Sequence, residues 1–128
     1  MDTKKVLLVD DEPHVTSVIK HFLVKSGYDV DTASNGLIAL KKVGKQMPDV
    51  IVSDIQMPRM TGLEFCGRLR SDYPESNSLV VIMTSRTERE FREQAGALEN
   101  VEFLEKPLSP KKLVARLDEY FEIMECVV

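Results

Sequence analysis

Apolar residues along this chain fall into two periods, and the alternation between them sets out the elements. Residues 6–9, 50–52 and 79–83 are unbroken aliphatic runs, the pattern of short strands buried on both faces. Residues 28–32, Tyr-Asp-Val-Asp-Thr, alternate apolar and polar, which predicts an edge strand with one wet face. Residues 101–104 form a short fifth strand. Between these runs the spacing becomes helical. Val15, Val18, Ile19, Phe22 and Leu23 form one stripe over residues 13–26, and Gly27 closes that helix in the C′ manner. Asn35 and Gly36 open a second helix that runs to about residue 46, before Pro48. A third carries Leu63, Cys66, Leu69 and Tyr73 and ends at Pro74. Residues 87–98 make the thinnest stripe, with only Phe91, Ala95 and Leu98 aligned, so light packing is expected there. Ser109 and Pro110 supply an N-cap and an N1 proline for a last helix. That helix lines up Leu113, Val114, Leu117, Tyr120, Phe121 and Met124.

Five strands alternating with five helices across short loops predict an α/β fold, a parallel sheet covered on both faces. At 128 residues there is room for one domain, with a core expected over about residues 5–121. No repeat, low-complexity segment or linker interrupts it. Apolar residues at 43% and charged residues at 30% are ordinary for a globular protein. A net charge of −4 without a basic stripe argues against direct nucleic-acid binding. The polar start and the short run at 6–9 do not make a signal sequence, and no stretch reaches transmembrane length. The two cysteines, Cys66 and Cys126, have neither metal nor redox spacing, so a cytoplasmic location is expected.

In a parallel sheet all strands deliver their carboxyl ends to one edge. Here those ends carry Asp10 and Asp11, then Asp54, Thr84 and Lys106. Three converging carboxylates repel one another, and a hard divalent cation relieves the repulsion. An oxygen-only set with few protein ligands suits Mg²⁺, whose open positions take phosphate oxygens. Asp54 is then the candidate nucleophile, forming an acyl phosphate. Lys106 would neutralise a phosphoryl oxygen and Thr84 would donate a hydrogen bond to another.

The segments Val6-Leu7-Leu8-Val9-Asp10-Asp11-Glu12-Pro13, Asp54-Ile55-Gln56-Met57-Pro58-Arg59-Met60-Thr61-Gly62, Thr84-Ser85 and Lys106-Pro107 resemble the receiver domain of two-component response regulators. The resemblance covers about residues 5–120. It implies a flavodoxin-like, doubly wound (βα)5 fold with strand order 2-1-3-4-5. It also implies that Asp54 accepts a phosphoryl group from a phosphohistidine on a sensor histidine kinase or phosphotransfer domain. Asp11 and Asp54 would bind Mg²⁺ directly, Asp10 through water, and Gln56 through its backbone carbonyl. The Lys106–Pro107 bond is expected to be cis. Thr84 and Phe103 would form the switch, Thr84 moving toward the phosphate and Phe103 turning inward. Gln56 and Arg86 would flank the hydrolytic water and tune the lifetime. Such a protein is a phosphoacceptor switch, not an enzyme, and catalyses only its own phosphorylation and slow dephosphorylation. The face of the fourth helix, fifth strand and last helix would then control an output protein or domain. A monomer or a phosphorylation-dependent dimer is implied, with no membrane and no direct nucleic-acid contact. Thr84-Ser85-Arg86-Thr87 further resembles receivers joined to chemosensory hybrid kinases.

One departure is the missing glycine before the fifth strand, where this chain has Ala97-Leu98-Glu99-Asn100. Asn100 is expected to take the left-handed conformation instead. Three rival functions stand beside the switch. An aspartyl-phosphate hydrolase would want an acid two residues beyond its nucleophile, where this chain has Gln56. A flavin binder would want a Ser-, Thr- and Gly-rich loop after the first strand, where this chain has Asp10-Asp11-Glu12. A degenerate receiver acting as a phosphorylation-independent scaffold is the alternative reading, although every reactive position is present. His14 and His21 are expected on the surface and Cys66 in the core.

Overall fold

The computed structural model describes residues 3–57, 59–84, 100–106 and 108–127, with residues 126 and 127 described by backbone alone. Its strands are β1 (Lys5–Val9), β2 (Asp29–Ala33), β3 (Val50–Asp54), β4 (Leu79–Thr84) and β5 (Val101–Glu105). Three helices, α1 (Pro13–Lys25), α2 (Gly36–Lys45) and α3 (Gly62–Asp72), precede β4, and a C-terminal helix spans Pro110–Val127. The helix expected over residues 87–98 lies outside the described residues.

The five strands are parallel and ordered β2-β1-β3-β4-β5. That order is the one the resemblance implied, and it puts the half-polar strand β2 at an edge. Period-two alternation splits the aliphatic runs between two cores. Val6, Leu8, Val50, Val52, Leu79, Val81 and Met83 face α1 and the C-terminal helix, where Ile19, Leu23, Leu113 and Leu117 meet them. Leu7, Val9, Ile51, Val80 and Ile82 face α2 and α3, where Ala39, Val43, Phe65, Cys66 and Leu69 complete the packing. Each fully buried aliphatic side chain contributes about 1.5–3 kcal/mol.

The helix ends follow the turn chemistry of the sequence. Gly27 has φ +97°, Asn35 Oδ1 accepts from the Ile38 amide at 2.9 Å, and Ser109 Oγ accepts from the Lys112 amide at 3.3 Å. Asn100 is left-handed, with φ 57°, as its position predicts. Two stripe expectations need correction. Val18 is 50% exposed, since the buried face of α1 is carried by Ile19 and Leu23, with Val15 packed part-buried beside them. Met124 is 47% exposed rather than core, in the last turns of the C-terminal helix beyond Leu113 and Leu117, which fill its buried face.

Candidate functional site

Strand β1 leaves the sheet toward α1 on one face, and β3 leaves toward α3 on the other. The crevice between two such neighbours is where sheets of this order bind ligands. Asp10 follows β1 directly. Its amide donates to the Ala33 carbonyl at 3.0 Å, which carries the β1–β2 pairing one residue past the strand. Its Oδ1 accepts from the Glu12 amide at 2.9 Å, a local turn that starts α1. Asp10 is buried and Asp11 exposed. Asp54 is the last residue of β3, only 4% exposed, with the Gln56 amide 3.4 Å from its Oδ1. The Lys106 amide donates to the Thr84 carbonyl at 2.8 Å, which extends the β4–β5 pairing by one step. That step brings Lys106 Nζ to 2.6 Å from Asp54 Oδ1.

Asp10, Asp11 and Asp54 each place one carboxylate oxygen within 4.8 Å of the others. The Asp10 carboxyl is pushed up to about 6, first by burial and then by the Asp54 charge, against the opposing pull of the Glu12 amide and Lys106. Lys106 compensates one negative charge of three. An all-oxygen set with uncompensated charge fits a hard divalent cation such as Mg²⁺.

Thr84 is fully buried at the end of β4, opposite Glu105 in register. Phe103 pairs across from Ile82 and is half-buried against the α2–α3 core. Thr84 and Phe103 therefore share one face of the sheet. Gln56 is exposed at the rim, His14 and His21 are exposed on α1, and Cys66 is buried. Ser85, Arg86 and Pro107, with the expected cis bond, lie outside the described residues.

Two supports of the site were not expected. A Cβ on Gly62 would lie 2.5 Å from the Asp54 carbonyl oxygen, so only glycine lets α3 start this close to the end of β3. The Gly62 amide closes the loop on the Ile55 carbonyl at 2.8 Å. Thr61 caps α3: its Oγ1 accepts from the Glu64 amide at 3.1 Å and its amide donates to Glu64 Oε1 at 3.3 Å. The Thr-x-x-Glu spacing carried that signal. The close approach at Gly62 has no signature beyond a glycine in a loop.

Residues 6–118 match the family described as the response regulator receiver domain, a span containing the whole crevice. The chain belongs to that family. This receiver is 37% identical over 115 residues to the alkaline phosphatase synthesis transcriptional regulatory protein PhoP of Bacillus subtilis (strain 168), covering 89% of this chain and 47% of that protein. It is 36% identical over 119 residues to the response regulator MprA of Mycobacterium leprae (strain TN), covering 88% and 49%. The chain thus spans about half the length of these curated relatives. Among solved structures, the chemotaxis response regulator CheY4 of Vibrio cholerae superposes with a TM-score of 0.84 at 35% identity, covering 92% of this chain and 98% of that one. Receiver domains of response regulators are phosphorylation-dependent signalling switches of two-component systems. Among the described residues, no helix is long and apolar enough to cross a membrane.

Proposed function

We propose that this receiver takes a phosphoryl group from a phosphohistidine of a sensor histidine kinase or phosphotransfer domain onto Asp54. The observation that carries this reading is the convergence of the Asp10, Asp11 and Asp54 oxygens beside Lys106. An Asp54 oxygen attacks phosphorus, the phosphorus–nitrogen bond breaks, and its electron pair returns to the donor imidazole. Lys106, already against Asp54, transfers its ammonium contact to a phosphoryl oxygen. Asp10, Asp11, Asp54 and the Gln56 carbonyl would hold Mg²⁺. When bound, Mg²⁺ supplies the positive charge that lets carboxylates and phosphoryl oxygens share one crevice.

A cleft of about 670 Å³ opens beside the site between the start of α1 and the start of the C-terminal helix, with Val15, Val18 and Leu108 in its wall. It gives the donor an apolar seat within reach of Asp54. In the phosphorylated state the Thr84 hydroxyl donates to the phosphoryl group and Phe103 turns inward, biasing one state of the output face. The resemblance gives Gln56 and Arg86, the latter outside the described residues, the part of tuning the water that ends the signal. Neither takes a proton from it, so the phosphoryl group leaves slowly.

The test is intact-mass measurement with acetyl phosphate. One phosphoryl group per chain is expected with Mg²⁺, and none without Mg²⁺ or in Asp54→Asn. A gain that persists in Asp54→Asn would move the nucleophile elsewhere, and no gain in the native chain would leave the scaffold reading.

A further inference from the structure

The C-terminal helix is charged in the sense opposite to its dipole. Lys111 and Lys112 stand in its first turn, no cation stands in its last, and Glu119, Glu122 and Glu125 are all exposed near its C-terminal end. Helix dipoles disfavour anions in the last turn, where Glu125 stands. Among these carboxylates Ile123 is 53% and Met124 47% exposed. Beyond Phe121, over whose ring Lys4 Nζ lies at 5.4 Å, the end of this helix is an exposed acidic, apolar surface.

Its complement lies elsewhere on the chain. A shallow depression of about 390 Å³ runs between α2 and the start of α3, walled by Leu37, Ile38, Lys41, Arg59 and Arg68 among others. Leu37 is 40% and Ile38 37% exposed, so this is an apolar floor with three cations at its rim. Arg68 is held 3.5 Å from Asp72 on its own helix, yet its side chain stays 56% exposed. Arg59 is exposed in a left-handed turn, φ 71°, a conformation that costs a non-glycine residue free energy. A basic, apolar depression on a chain of net charge −4 selects an acidic, apolar partner surface.

We propose that copies of this chain associate head to tail, the end of the C-terminal helix of one docking in the α2–α3 depression of the next. The contact is intermolecular by construction. α2 and α3 cover one face of the sheet and the C-terminal helix covers the other, so a continuous helix does not reach its own depression. The two surfaces lie on opposite faces of the sheet, so one partner cannot engage both reciprocally about a two-fold axis, and the association continues head to tail. The apolar surface on each side is small, which places the contact among weak, transient interfaces.

Sedimentation equilibrium across concentration tests this. The weight-average mass should rise continuously with concentration, without a plateau at two copies. High salt should return it to the monomer. Lys41→Glu with Arg59→Glu should abolish association, as should Glu122→Lys with Glu125→Lys. An equimolar mixture of the two variants restores opposite charge at each contact and should associate again, which also shows that both are folded. A native chain that stays monomeric, a plateau at a dimer, association persisting in either variant, or a mixture that fails to recover each overturns the proposal.

Discussion

Asp10 shows how one residue carries the conflict built into the site. Burial holds its carboxyl at about 6, against 3.8 for a free aspartate, so the metal-free fold takes up a proton that the unfolded chain releases. The folded state binds more protons between those two values, so Asp10 lowers the stability of the metal-free protein as pH rises from about 4 through about 6. Asp10→Asn removes that loss. In chelator, the variant should match the native chain near pH 4. Above pH 7 it should be more stable by on the order of 1–2 kcal/mol, allowing for screening at the open sheet edge. Urea unfolding of both proteins across pH measures this. A difference that does not change with pH would mean that Asp10 does not titrate in the fold. With saturating Mg²⁺ the advantage should vanish or reverse, because the cation stabilises the charged form.

At the scale of elements, the start of β5 is held by one unusual residue. Asn100 is left-handed, and its side-chain amide donates to the carbonyls of Asn77 and Ser78 at 3.1 and 3.2 Å and lies 3.5 Å from the Tyr120 hydroxyl. Arg70 of α3 donates to the same Ser78 carbonyl at 2.8 Å. The strand is thus tied to the β4 approach, and α3 to the same point. Two substitutions separate geometry from bonding. Asn100→Gly keeps the backbone comfortable and loses the amide bonds, at about 1–2 kcal/mol. Asn100→Ala loses both and adds about 1–2 kcal/mol for the left-handed backbone. Denaturant midpoints should rank native above Gly above Ala, and equal midpoints for Gly and Ala would remove the geometric role. At the other edge of the C-terminal helix, the Tyr28 hydroxyl donates to Asp118 at 2.6 Å. Burial, then the hydrogen bond to Asp118 and last the Asp118 charge, hold its phenol above the usual range.

For the whole molecule, the decisive arrangement is Thr84 and Phe103 on one face of adjacent strands, with Asp54 at the next strand end. Thr84→Ala should leave Asp54 able to gain a phosphoryl group while reducing the chemical-shift response of β5 and the C-terminal helix by at least about half, since the hydroxyl bond favours only the phosphorylated state. NMR with a phosphate mimic bound reads this, and native-sized shifts in Thr84→Ala would sink it. Much of this molecule was legible beforehand because its signals are local. Aliphatic runs, their period, Gly27, Asn35 and Ser109 each act within a few residues, and a parallel sheet sends Asp10, Asp54 and Lys106 to one edge whatever its strand order. Asn100 was readable for the same reason, since left-handed tolerance belongs to the residue itself. Val18 and Met124 misled because helical period reports which way a side chain points, and only the neighbouring elements decide whether anything lies there. The Lys106–Asp54 contact across 52 positions, the elevated Asp10 carboxyl and the close approach at Gly62 depend on distances between separate elements. So does the placing of the acidic helix end and the basic depression on opposite faces of the sheet. The sequence specified each group; packing alone set the separations between them, and electrostatics and sterics act through those separations.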